Sequence, residues 1–176
     1  MHYLIRSQFK VIKSFLLFLL ISISCYLIPP KALEAKLELF ENINGNEVQR
    51  SLESLRDLDD QTWQLVVYPQ TGHEDNLVLR IVGFTGSLRL NHPEKLHLKS
   101  GLKSWDLKDI TLSNPQLAND NRDAAAEFLL SPFLQELNNN RPLRLSLVGG
   151  FNDLPVPPYV VNEWRSMLKS FIRNET

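Results

Sequence analysis

The chain is predicted to fold as an α+β domain: a mainly antiparallel sheet of short strands with two helices, about 122–138 and 158–172, packed on it. Three observations predict this. Apolar and polar residues alternate in short runs between 47 and 107, a period of two. The apolar spacing then lengthens toward a helical rhythm at 122–138 and again after 158, with one alternating run at 142–148 between them. Strands first and helices afterwards are simplest to bury as an antiparallel sheet with helices on one face.

Each element rests on its residues. The stretch 36–46 (KLELFENINGN) is expected to be a poorly ordered lead-in with a turn at Asn44-Gly45-Asn46. Residues 47–56 are predicted to form one strand of a hairpin, although Val48, Leu52 and Leu55 also fit helical spacing. In QTWQLVVY (61–68), Trp63, Leu65 and Val67 alternate with Thr62, Gln64 and Val66, which predicts a strand with one buried face. Pro69 to Asn76 is expected to be a polar loop. LVLRIVGF (77–84) is apolar on both faces except for Arg80 and is expected to be the central strand, ending in a bulge or tight turn at Gly83 and Gly86. Further strands are predicted at 87–91, 95–99 and 103–107, with His92-Pro93 as a turn and 115–121 as a loop.

The 122–138 helix places Ala124, Ala125, Phe128, Leu129 and Leu137 near one face, with Ser131-Pro132 as a kink and Asn138-Asn139-Asn140 as its end. PLRLSLV (142–148) is predicted to turn Leu143, Leu145 and Leu147 inward. Gly149-Gly150 opens a turn. Pro155, Pro157 and Pro158 exclude an interior strand, while Pro suits a first helical turn. The last helix carries Val160, Trp164, Met167, Leu168 and Phe171 on one face and Asn162, Glu163, Arg165 and Lys169 on the other.

The domain boundary follows from the N-terminus. Arg6, Lys10 and Lys13 precede an uncharged run from Ser14 to Ile28, then Pro29-Pro30, Ala32 and Ala35. That order of charge, apolar run, helix breaker and small residue is the pattern of a secretory signal peptide. Residues 1–35 are assigned to it, 36–47 to the lead-in and 48–172 to a single globular domain. A retained N-terminal anchor and lipid attachment at Cys25 are the alternatives, and either would make the N-terminal segment the only route to a membrane.

Composition then narrows the function. Four of the 19 Lys and Arg and one of the 20 Asp and Glu precede residue 36, so the remaining 141 residues carry a net charge of −4. An acidic surface of this kind argues against a nucleic-acid partner. The sole cysteine, Cys25, leaves with the signal, so the domain has no disulfide or thiolate ligand and depends on its apolar core.

No catalytic, cofactor-binding or metal-binding residue is assigned, and no cofactor is expected. His73 beside Glu74 and Asp75 reads as a solvated loop. His92 and His97, five apart around a Pro turn, do not make a metal pair. Asp57, Asp59 and Asp60 read as a turn, because Asp bonds its own backbone there. No serine lies in a G-x-S-x-G elbow. Trp63, Trp105 and Trp164 read mainly as packing. Arg80 must pair, reach solvent or face a ligand, since an unpaired buried charge is destabilising; Glu53 on a neighbouring strand is its expected partner. Arg80, Gly86, Pro155, Pro157 and Pro158 form the possible interaction surface, on the turn 154–158 and the 83–86 loop.

In SLRD (54–57), WQLV (63–66), LRIVGFTG (79–86), NHPEKL (91–96), RPLRLSL (141–147) and LPVPPYVVNEW (154–164) the chain resembles an uncharacterised cyanobacterial family of small exported proteins. The resemblance covers most of 48–168 and brings no activity, cofactor or catalytic residue. It implies the thylakoid lumen or the periplasm, and an accessory role near the photosynthetic membrane. The expected function is a non-catalytic accessory or protein-binding domain. A small-ligand or lipid carrier, with a cavity lined by Trp63, Phe84, Phe128 and Trp164, is the alternative. A hydrolase using carboxylates such as Asp57 with Arg80 is the third reading.

Overall fold

The computed structural model describes residues 37–41, 47–70, 73–84, 89–120 and 124–174. The chain divides into two units, residues 1–33 and 34–176, and the first lies outside the described residues, as does the turn expected at 44–46.

Two antiparallel sheets share one core. The first contains β1 (Leu37–Glu41), β2 (Glu47–Arg56), β3 (Thr62–Gln70), β4 (His73–Val82) and, after a long crossover, β7 (Ala125–Leu129), in that spatial order. The second runs β6 (Lys103–Leu107), β5 (Leu96–Ser100), β8 (Leu143–Leu147), β9 (Phe151–Val156). A 3-10 turn (Thr111–Ser113) and three helices complete the described chain: α1 (Pro115–Ala118), α2 (Ser131–Glu136) and α3 (Pro158–Asn174). The α+β class holds, with sheet predominating.

The alternation read from the sequence is what faces the core. Trp63, Leu65 and Val67 on β3, Leu77, Leu79 and Ile81 on β4, and Leu143, Leu145 and Leu147 on β8 are all buried in one cluster with Phe128, Val160 and Trp164. The Trp63 and Phe151 rings meet edge to face at 4.8 Å and join the two sheets.

Several expectations are corrected. The segment 122–138 is not one helix: Ala125–Leu129 pairs with β4, and a short helix begins only at Ser131. Here Ala126 and Phe128 face the core while Glu127 is buried on the opposite face. Burial on both faces erases the period-two signal, and the sheet overrides the helical preference of the alanines. Pro132 therefore starts α2 instead of kinking a longer helix. The 149–157 region contains strand β9, whose Pro155 is tolerated because β9 is an edge. Its inward residues Phe151 and Leu154 are three apart, and Asp153 between them has φ 59°, an irregularity that hides the alternation. Residues 89–91 form no strand. The polar stretch 69–76 is mostly drawn into the β3–β4 hairpin, and β1 forms within the expected lead-in.

The free edge of β7 is covered by the chain itself. Ile110 N donates to Glu127 O at 2.8 Å and Leu129 N donates to Lys108 O at 3.1 Å, so residues 108–110 act as a strap along the strand. No helix among the described residues is long and apolar enough to cross a membrane.

Candidate functional site

Arg80 lies at the centre of a polar network on the outer face of the first sheet. Its register partners are Val66 on β3 and Glu127 on β7. Arg80 Nε donates to Glu127 Oε1 at 2.7 Å, and the other guanidinium contact, from Nη2, goes to the same oxygen. The Tyr68 hydroxyl also donates to it, as does Asn114 Nδ2 at 3.0 Å. The guanidinium stacks over the Tyr68 ring, 5.2 Å from its centroid. Thr111 Oγ1 in the 3-10 turn accepts from Glu127 N at 2.8 Å and fixes the backbone, while Asn114, the cap of α1, reaches the carboxylate.

Burial opposes the charge on Arg80, but Tyr68 and Glu127 outweigh it and hold the guanidinium above its ordinary value. Burial, then the Glu127 charge, pushes the Tyr68 phenol well up. The partner is thus Glu127 and not Glu53. Glu53 is on β2, beyond β3, and alternates onto the inner face. The carboxylate was missed because 127 reads as helix; its only sequence signal is one acid inside an apolar run.

The expected interaction surface divides into separate places. Pro155 and Pro157 line a shallow groove of about 380 Å³ on the second sheet with Lys99, Arg144 and Asp153. Pro158 begins α3, Arg80 belongs to the first sheet, and Gly86 lies outside the described residues.

The carboxylates each hold backbone in place. Asp57 accepts from the N–H groups of Asp59 (3.0 Å) and Gln61 (2.9 Å) and from Trp63 Nε1 (2.8 Å), which makes it the turn-former expected of it. These bonds overcome burial and lower its pKa. Asp57 bonds the inward-facing Trp63 at the β2–β3 turn, whereas Arg80 is on the outer face with Glu127, so the two are not brought together. Asp109 bonds His92 Nδ1, Glu94 N and Thr111 N, each at 2.8 Å, and its carboxyl is likewise held low against burial. His97 pairs instead with Asp106, 2.9 Å away. The two histidines therefore serve different aspartates. Among the described residues no group of three His, Cys, Asp or Glu side chains is placed to hold a metal.

The carrier cavity does not form as expected. Trp63, Phe128 and Trp164 are packed in the core, whereas Phe84 is 76% exposed. Glu163, read as part of the polar face of the last helix, is buried.

Phe84 instead follows the end of β4 that lies beside the start of β3. It lies two residues past Val82, whose partner is Gln64 at the start of β3. Leu58 is exposed in the adjoining β2–β3 turn, and Val148 is exposed in the β8–β9 turn, three residues before the Phe151 whose ring meets Trp63. Leu58 and Val148 are 71% and 68% exposed, and Asp57 and Asp59 flank Leu58 in the same turn.

No curated protein and no solved structure matches the chain. Residues 35–167 match the family described as Protein of unknown function (DUF3122). That span is well over half of the sequence and includes both sheets and most of α3, so the chain belongs to the DUF3122 family.

Proposed function

We propose that this is an exported, non-catalytic accessory domain that binds a protein partner through the Leu58–Phe84–Val148 end, in the thylakoid lumen or periplasm and near the photosynthetic membrane. The observation that carries the reading is that three strongly exposed large apolar side chains lie on segments that leave the same end of the first sheet, Leu58 and Phe84, or adjoin it through the Trp63–Phe151 contact, Val148. Scattered exposed apolar residues are ordinary; a grouped set is the mark of an interaction site. Arg56 pairs with Asp60 at 2.7 Å, and the remaining Asp57 and Asp59 keep the turn beside Leu58 acidic, which fits a partner whose apolar patch is rimmed by basic residues. Asp57, Asp109 and Glu127 are engaged in holding turns and strands, which supports a structural use of the acidic groups. The leader pattern and the cyanobacterial resemblance support the location.

Affinity purification of the tagged full chain from membrane and soluble fractions tests this. Wild type is expected to recover one partner reproducibly. The double variant Leu58→Ser/Phe84→Ser should recover it at least about tenfold less well, equivalent to about 1.4 kcal/mol, with unchanged folding. Equal recovery by the variant, or a free monomer carrying extracted lipid or pigment, would overturn the proposal.

A further inference from the structure

Glu163 is placed where an acid is least expected. It shares a face of α3 with Val160, Trp164 and Met167, all buried, and is itself only 6% exposed. Both carboxyl oxygens are shielded from solvent and have no hydrogen-bond partner. A buried polar group in this condition calls for an explanation.

Its surroundings supply one. α3 packs against β2, β4 and α2; the one titratable side chain of α2, Glu136, accepts instead from Trp105 Nε1 at 2.9 Å. On β2, Ser51 and Glu53 alternate onto this inner face, since their register partners Val67 and Leu65 are fully buried. The Ser51 hydroxyl is also buried without a partner. Tyr159, one turn earlier on α3, faces Glu53, and Arg50 alternates to the opposite side of the sheet. β3 and β4 present Leu65, Val67, Leu77 and Leu79 to the core. Among the described residues, the titratable groups acting on the cluster are Glu53, Glu163 and Tyr159, and none of these is a cation.

We infer that Glu163 is a protonation latch: as the neutral acid it lets α3 seat on β2, and its ionisation beside Glu53 loosens the C-terminal helix from the sheet. Burial favours the neutral form of Glu163, opposed by the Ser51 hydroxyl, which lies outside hydrogen-bonding geometry. Burial and then the Glu163 charge favour the neutral form of Glu53, opposed by Tyr159. Carboxyls held high in the folded state stabilise it below the ordinary carboxylate range, and that stability is lost as pH rises through the folded values.

Hydrogen exchange on the full chain, corrected for the intrinsic rate at each pH, tests the latch. Protection of amides in residues 159–174 should fall at least about tenfold between about pH 5 and 8, equivalent to about 1.4 kcal/mol in the opening equilibrium. At the higher pH these amides should be less protected than those of β3 and β4, because the helix opens separately. Glu163→Gln keeps the shape without ionising and should abolish the dependence. Glu53→Gln removes the like charge and should shrink it. A flat wild type, an undiminished fall in either variant, or equal protection of helix and strands at both pH values would overturn the inference.

Discussion

At the scale of single residues, one carboxylate oxygen organises most of the outer polar face. Glu127 Oε1 gathers donors from β3, β4 and Asn114, the residue that caps α1. Removing it leaves a guanidinium without its counter-charge. Glu127→Ala is expected to destabilise by about 2–3 kcal/mol, less than the roughly 3–5 kcal/mol typical of a fully buried pair, because Arg80 remains 29% exposed. A lower urea midpoint at unchanged slope would show it. Asp57→Ala removes three hydrogen bonds from an exposed turn and should cost about 1 kcal/mol, read the same way. Asp57 was legible in the sequence, because turn chemistry is local. Glu127 and Glu163 were not. Each is an acid whose burial is decided by a partner element distant in sequence, and helical or strand period alone assigns such a residue to solvent.

At the scale of elements, legibility follows the one-sidedness of burial. β3 and β8 have one wet face and one dry, so alternation located them within about two residues. β7 is buried on both faces and contains alanines, so period failed; β9 was hidden by a bulge and a proline. The β8–β9 turn depends on Gly149, at φ +77° with Arg89 O lying 3.5 Å from where a Cβ would be. Gly149→Ala is therefore expected to destabilise by about 1 kcal/mol through backbone strain, measurable as a lower thermal midpoint. Phe128→Ala, in the middle of β7, should cost about 3–5 kcal/mol by opening a cavity between the sheets. Equal midpoints for the two variants would contradict this account of where the core lies.

For the whole molecule, stability should peak in mildly acid solution. Hydrogen bonds hold Asp57 and Asp109 below the ordinary aspartate value against burial, and the His97 bond lowers Asp106. Those contributions are present above the unfolded aspartate pKa and are lost as pH falls through the folded values. Glu163 and Glu53 are shifted the other way, so their contribution declines as pH climbs from the glutamate range. Urea midpoints from pH 3 to 8 are expected to trace a maximum at about pH 4–5; a plateau centred near neutrality would refute it. The α+β class, the strand-rich first half and the final helix were all visible in composition and period. The joining of two sheets into one core was not, because it depends on long-range pairs such as Trp63 with Phe151.

The placement of β1 limits how far the domain could be shortened from its N-terminal side. Leu37–Glu41 is the outermost strand of its sheet and pairs with β2 from Leu37↔Ser51 to Glu41↔Glu47. Trimming that stops at Ala35 spares this ribbon with a single residue to spare. A cut only a few residues further in would bare the amides of β2 and offer a template for strand-by-strand polymerisation. Chains beginning at Lys36 should stay monodisperse, whereas chains beginning at Asn42 should sediment as oligomers.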